Sequence, residues 1–490
     1  MAPAVFKTVG RAKRGGGFDT LLFRMDINER LSGIPLAERL LADSEIQAFF
    51  PLVSRELATR AVTTALATER ERSLCDEAYA DDPTVCRAAA IAALEALDRK
   101  RQRKVLNGTG AVLNTSLGRA PLPADAWDAA RDANVGYTPV GFDLEAGARG
   151  IRGSLCGEMA AALAGADAAL IVNNNAAGVL LALSTIAKDR EVIVARGDQV
   201  QIGGGFRVPD VLELAGARAV EVGTANIVDE ADYSRAAGSE TACALIVHTG
   251  DFALRGICSK PSPARVVAAM PESVPVIVDQ GSGCTTESIP GEPSVRSFME
   301  AGCALVCFSA DKFLGGPQAG VVAGRADLIR RMARNPLYRA FRPGKTVLSL
   351  LERVLAQRLN GEPGIAASAM AMPADELKKL ARKIKAKLPK GCAVVIDTMA
   401  ASGGGSGTDE AFESIGLSIT PPSTANALQA ALRKAPVPLI AIAREGKVVV
   451  DMATLSGEDP GVVADTIVWG LERSASLRAR VERLTDVGPA

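Results

Sequence analysis

Cys307-Phe-Ser-Ala-Asp-Lys312-Phe-Leu-Gly-Gly-Pro-Gln-Ala-Gly320 sets one lysine between an apolar run and a glycine-rich turn. The run Ala304-Leu-Val-Cys-Phe308 predicts a buried strand, so Lys312 falls at a strand end. An amine held rigidly in a partly desolvated pocket loses its proton more readily than one in water, and it then attacks a carbonyl. Ser309 offers a hydroxyl just before it, and Gly315 and Gly316 let backbone approach a ligand with no Cβ in the way. An ordinary lysine beside a flexible turn is the competing reading, and only context separates the two.

That context lies upstream. Ala169-Leu-Ile-Val172 predicts a second short strand, which runs into Asn173-Asn174-Asn175-Ala176-Ala177-Gly178 and then a helical stretch from Val179 to Ala187. The unpaired N–H groups and positive dipole end of such a helix bind phosphate. Val274-Pro-Val-Ile-Val278 predicts a third strand ending at Asp279, followed by Gln-Gly-Ser-Gly283. A carboxylate there either pairs with a protonated pyridine nitrogen or serves as an ordinary turn former. A phosphate loop, an aspartate and a lysine at successive strand ends are the anchors that pyridoxal 5'-phosphate needs, on an α/β fold.

Further motifs carry a family resemblance: Val105-Leu-Asn-Gly-Thr-Gly110, Leu117-Gly-Arg-Ala-Pro-Leu122, Arg196-Gly197, Gly203-Gly-Gly-Phe-Arg-Val-Pro-Asp210, Glu221-Val-Gly-Thr224 and Val247-His-Thr249. With Asn173 to Ala177, Asp279 to Gly283 and Asp311 to Gly320, they make the chain resemble bacterial selenocysteine synthase, L-seryl-tRNA(Sec) selenium transferase. The resemblance is dense from residue 105 to about 350 and weaker on both sides. It implies a fold-type I pyridoxal phosphate transferase, with a mostly parallel sheet in a large domain, a smaller C-terminal α+β domain and an N-terminal helical domain. The expected boundaries are 1–88 for the helical, candidate tRNA-binding part, 89–364 for the catalytic domain and 365–490 for the small domain. The family is a homodecamer built from dimers, so a homo-oligomer is expected.

The implied reaction takes seryl-tRNA(Sec) to selenocysteinyl-tRNA(Sec) through an aminoacrylyl intermediate, with selenophosphate as the selenium donor. Lys312 would hold the cofactor and then take the serine α-proton. Asp279 would keep the ring nitrogen protonated, while Asp311 would tune the lysine or assist proton transfer, or simply close a turn. Asn173, Asn174, Asn175, Ala176 and Ser309 would hold the phosphate. His248, the chain's only histidine, would contact the cofactor ring or its phenolic oxygen, or else pack as a hydrogen-bonded strand-end residue. Arg119, Arg339 and Arg342 match the family's anion site for the donor, where a guanidinium fork suits oxyanions; Arg339 and Arg342 also read as a surface pair on one helix.

Three departures fall in substrate-facing loops: Asn114-Thr-Ser116, Thr224-Ala-Asn-Ile227 and Tyr137-Thr-Pro-Val-Gly141. Ile227 weighs most, because an apolar residue there removes an anion anchor. They keep open a pyridoxal phosphate lyase acting on a small amino acid or amino sugar phosphate, and behind it an inactive relative that only binds.

Composition fits without deciding. The 490 residues hold 56 basic and 56 acidic side chains, so any tRNA contact must come from local patches. Nine scattered cysteines without a CxxC pair read as reduced thiols of a cytoplasmic protein, with no metal site. No apolar stretch reaches membrane-spanning length, and Met1 to Gly17 is basic without an apolar core, either a mobile arm or a start without function. Ile34 to Arg72 and Val85 to Leu106 read as helical, the second ending in the basic cluster Arg99, Lys100, Arg101, Arg103 and Lys104. That cluster is either a tRNA contact or a solvated helix end. After Gly361-Glu-Pro-Gly364 the pattern gives a helix over Ala374 to Leu388, strands at Cys392 to Ile396 and Leu439 to Ile442, a hairpin-like Gly446 to Val450 and a closing helix from Pro460 to Glu472. Gly403-Gly-Gly-Ser-Gly407 reads as a loop.

Overall fold

The computed structural model describes residues 31, 33–75, 82–202, 205–248, 250, 254–285, 289, 291–403 and 411–485. The chain divides into two compact units, Met1–Lys104 and Val105–Ala490. The basic start, Gly203, Gly204, Thr249 and the run from Gly404 to Gly407 lie outside the described residues.

In the first unit the expected helix over Ile34 to Arg72 is broken into α1 (Ala37–Leu41), α2 (Ser44–Gln47), α3 (Phe50–Val53) and α4 (Arg55–Cys75). The last break falls at Ser54, whose φ of 72° no helix accommodates. Asp43 caps α2 by accepting from Glu45 N at 2.9 Å, and it takes Arg87 Nε of α5 (Pro83–Asp98) at 2.7 Å. Ile46, Val62, Leu66, Cys86, Ala90 and Leu94 close the core between these helices. Helix α5 stops at Asp98 instead of running to Leu106, and its end neutralises most of the basic cluster. Arg101 and Arg103 pair with Asp98 at 2.8 and 2.6 Å, and Arg99 pairs with Glu95 at 3.3 Å.

The second unit opens with β1 (Leu106–Gly108), then the hairpin β2 (Phe142–Asp143) and β3 (Ala148–Arg149), and β4 (Ala168–Val172) leading into α6 (Asn175–Ile186). Next come β5 (Glu191–Ala195), β6 (Arg218–Val222), β7 (Thr241–Val247), β8 (Val276–Gly281), β9 (Leu305–Ser309) and β10 (Gly320–Gly324). They form one seven-stranded sheet in the order β4-β10-β9-β8-β7-β5-β6. All neighbours run parallel except β10, which is antiparallel to both β9 and β4. Strands β5 and β7 to β10 are buried over nearly their whole length because both faces are covered, whereas the edge strand β6 is largely exposed. On β9, Val306 and Phe308 join the core with Leu351, while Leu305 and Cys307 join the opposite layer with Leu181 and Val322.

Helices α7 (Pro336–Phe341) and α8 (Lys345–Leu359) precede the C-terminal part, where α9 (Ala374–Lys385), β11 (Ala393–Ala401), β12 (Ala411–Ile419), β13 (Leu439–Arg444), β14 (Lys447–Asp451) and α10 (Pro460–Thr485) follow. The small sheet runs β1-β13-β14-β12-β11. Its edge strand β1 lies within the motif Val105 to Gly110, which the sequence reading placed inside the catalytic domain of 89–364, and Leu106 pairs in parallel with Leu439. Strand β12 escaped the sequence reading, since Ser414, Gly416 and Ser418 interrupt its apolar pattern. Its Ser414 and Thr398 of β11 donate to the buried Asp451 carboxylate at 2.9 and 2.8 Å, and Ala453 N adds a third bond at 2.9 Å.

One close approach fixes the sheet around the candidate site. Gly320, the first residue of β10, lies so near the loop before α6 that a Cβ there would overlap the Asn174 carbonyl. Gly320→Ala should therefore destabilise the protein by about 1–3 kcal/mol, read as a lower melting temperature, and weaken cofactor binding with it.

Candidate active site

The parallel register of β7, β8 and β9 brings their carboxyl ends to one edge of the sheet, where α/β folds bind ligands. Asp279 lies near the end of β8 and is 7% exposed. Lys312 lies in the turn after β9 and is 8% exposed. Asn175 opens α6 and donates from Nδ2 to Asp279 Oδ1 at 2.7 Å. The three meet around Gly281, whose φ of 72° turns the chain away. The position a Cβ on Gly281 would take lies 3.9 Å from Asp279 Oδ1 and 4.0 Å from both Asn175 Nδ2 and Lys312 Nζ.

This cradle fits pyridoxal phosphate. Lys312 supplies an amine for the aldehyde, Asp279 a carboxylate for the ring nitrogen, and the start of α6 N–H groups outside the helical ladder for the phosphate. Asn174 caps that helix, its side chain accepting from Ala177 N at 2.9 Å. Asn175 Oδ1 is buried and has no hydrogen-bond partner among the described residues. An unmet acceptor beside a lysine and an aspartate suits a polar ligand. Ser309 ends β9, buried, and Ala176 follows Asn175 in the first turn of α6. Asn173 is exposed and turned away from the cradle: its N–H donates to Phe341 O at 2.9 Å and its side chain to Ala340 O at 3.4 Å, tying the loop to α7.

His248 follows β7, and its backbone N–H donates to Asp279 O at 2.9 Å. Its ring nitrogen Nε2 lies 3.1 Å from Glu292 Oε2, whose side chain is fully buried. Beside it, Lys260 donates to Asp198 Oδ1 at 2.6 Å and to Val247 O at 2.8 Å, and Asp198 Oδ2 accepts from Val247 N at 3.0 Å. Asp198, Lys260, His248 and Ile227 line a cavity of about 350 Å³. Glu292, Asp198 and Lys260 were not singled out from sequence. No local pattern marks them, because their side-chain partners are 44 to 62 residues away.

The arginines divide. Arg119 bonds Asp311 Oδ2 from Nη1 at 2.5 Å, and Ala120 N donates to Asp311 O at 3.3 Å, so Asp311 anchors the Arg119 turn on both sides of the peptide. Arg119 itself has a φ of 63°, a strained value for a residue with a Cβ. Arg339 is exposed on α7. Arg342 is half-buried, with its guanidinium 6.0 Å from the Tyr338 ring centre, and it lines a cavity with Arg149 and Arg152.

A buried lysine and aspartate at the ends of adjoining parallel strands, beside a helix start on a mostly parallel sheet, define a fold-type I pyridoxal phosphate enzyme. A solved structure titled D-glucosaminate-6-phosphate ammonia-lyase shares this fold at a TM-score of 0.56 and 20% identity, over 76% of this chain and 97% of that one. The chain belongs to the family described as SelA, L-seryl-tRNA selenium transferase, which matches residues 105–456. The L-seryl-tRNA(Sec) selenium transferase of Geobacter sulfurreducens is 36% identical over 453 residues, covering 88% of this chain and 98% of that protein. That of Moorella thermoacetica is 39% identical over 391 residues, covering 76% and 83%.

Two variants test the cradle. Lys312→Ala should abolish borohydride trapping of the cofactor on the protein. Asn175→Ala removes a charge-assisted bond worth about 1.5–3 kcal/mol, so the cofactor Kd should rise at least about tenfold in equilibrium dialysis and the melting temperature should fall with it.

Proposed function

We propose that this chain converts seryl-tRNA(Sec) to selenocysteinyl-tRNA(Sec), with selenophosphate as the selenium donor. The observation that carries this reading is the extent of the match. The Geobacter sulfurreducens relative aligns with 88% of this chain, a share that the second unit alone cannot fill, so part of the helical first unit is included. A lyase acting on a small molecule has no use for such a unit, and we assign it to tRNA binding. The nine cysteines form no disulfide and several are buried, which suits a reducing cytoplasm. Among the described residues no helix is long and apolar enough to cross a membrane. A homo-oligomer built from dimers is part of the same reading.

The cofactor, when bound, supplies an electron sink conjugated with the substrate α-carbon. Lys312 holds it and, once released, presents Nζ as the base that removes the serine α-proton. Asn175 donates to one oxygen of Asp279, which fixes the direction of that carboxylate beside the ring nitrogen. Arg119 directs positive charge toward the leaving hydroxyl and the incoming anionic donor. Asp311 acts through Arg119, as the carboxylate that aims it. Arg339 and Arg342 add further positive charge for the donor, and His248 backs the cofactor ring, held by Glu292.

The deciding experiment offers purified protein seryl-tRNA(Sec) and selenophosphate, and identifies the amino acid released from the tRNA. Selenocysteine is expected. Turnover of a free amino acid or an amino sugar phosphate, with none of the tRNA, would establish a lyase instead. Arg119→Ala should raise the KM for selenophosphate about tenfold or more, and Asp311→Asn should do the same more weakly, since each loosens a charge-assisted contact worth about 1.5–3 kcal/mol.

A further inference from the structure

Several arginines of the second unit meet a carboxylate, among them Arg119, Arg196, Arg207, Arg218, Arg235 and Arg325. Arg149, Arg152 and Arg342 do not. None has an ion pair among the described residues, yet all three line one cavity of about 510 Å³ between the β2–β3 hairpin and the segment joining α7 to α8. Its other walls are Gly141, Phe142 and Gly150, so no acidic side chain faces it. Uncompensated guanidinium groups crowded together repel one another, and an arrangement of this kind is stabilised by an anion.

The geometry is held from both sides. Arg152 donates from Nε and Nη2 to Pro343 O at 3.2 and 3.0 Å, which clamps it to the residue after Arg342 and leaves Nη1 for a ligand. Arg342 is braced against the Tyr338 ring. Phe341, directly before Arg342, accepts from Asn173 N, so this wall is tied to the loop before α6. On the hairpin, Phe142 and Arg149 are cross-strand partners, which sets an aromatic face next to a guanidinium. Phe142 is 50% exposed. A free oxyanion would use the charge alone, whereas a nucleotide uses both, with phosphate on arginine and base stacked on the aromatic ring.

We propose that Arg149 and Arg152, with Phe142, form a nucleotide subsite for the acceptor end of the tRNA substrate, binding a phosphodiester next to the nucleotide that carries serine and beside the Arg342 assigned to the donor. This rests on the seryl-tRNA reading and specifies where the end of that tRNA is gripped.

The test uses the full-length chain loaded with cofactor and compares uncharged full-length tRNA(Sec) with the same tRNA stripped of its terminal CCA. For the Arg149→Ala, Arg152→Ala double variant, the Kd of full-length tRNA should rise about tenfold per arginine, and the slope of log affinity against log salt should fall by about one per arginine. Phe142→Ala should weaken binding without changing that slope. Stripped tRNA should bind wild type and variants alike. Equal loss for both tRNAs would overturn the proposal by moving the contact elsewhere on the tRNA. Unchanged tRNA binding with weakened competition by selenophosphate would assign the cluster to the free donor. Unchanged tRNA binding with an altered sedimentation coefficient would assign it to an interface between copies. A wild-type protein that binds no tRNA but turns over a free amino acid would remove the seryl-tRNA reading itself, an outcome distinct from all of these.

Discussion

The bond from Asn175 Nδ2 to Asp279 Oδ1 is the contact around which the second unit is organised. A carboxylate that is 7% exposed is costly to bury unless its lone pairs are met. Meeting them with a side chain from the first turn of α6 requires that helix to begin against the end of β8. That in turn demands the close approach of Asn174 to β10, and only a glycine at 320 permits it. The single antiparallel strand follows from the same need. Running β10 backwards between β9 and β4 places the lysine turn at the start of the sequence that returns beneath the α6 loop. Three distant segments are thus fixed by one hydrogen bond and one missing Cβ.

Electrostatics extends that logic outward. A chain of zero formal charge that handles polyanions must leave particular cations unpaired. The first unit illustrates the neutralised case, since Asp98 and Glu95 absorb three arginines of what looks in sequence like a basic patch. Arg119 is intermediate: its Nη1 is committed to Asp311, while Nε is buried without a partner among the described residues. The β2–β3 hairpin illustrates the unpaired case.

Strand ends were legible in the sequence because each is a short apolar run stopped by a polar residue, and all three anchors lie where such runs stop. The sheet's buried strands, the start of α6 and the closing helix follow from the same local signals. Strand β1 was not legible as an edge of the small sheet, because its partner β13 lies more than 300 residues away and pairs with it through backbone alone. Nor was the division of the arginines. Spacing of three between Arg339 and Arg342 suggests a shared face, but α7 ends at Phe341, so Arg342 is the extended residue after the helix. Glu292 and Asp198 are invisible locally for a related reason: a buried acid is defined by its partner, and the partner is distant in sequence.

The departures from the family pattern keep clear of the cradle, and this bears on what they change. Asn114 accepts from Ser116 N at 3.1 Å and its backbone oxygen from Arg119 N at 2.9 Å, so the altered turn still presents Arg119. The loop from Thr224 to Ile227 is closed by its own bonds, Thr224 N to Ile227 O at 2.8 Å and Ile227 N to Thr224 Oγ1 at 3.1 Å, which need no charged side chain at 227. Ile227 instead lines the cavity shared with His248 and Lys260. An isoleucine there removes a cation from a wall where the Lys260 ammonium already stands, paired with Asp198. The substitution therefore lowers the positive charge of that wall without exposing an unpaired acid, and it leaves the lysine, the aspartate and the asparagine of the cradle with the contacts that position them.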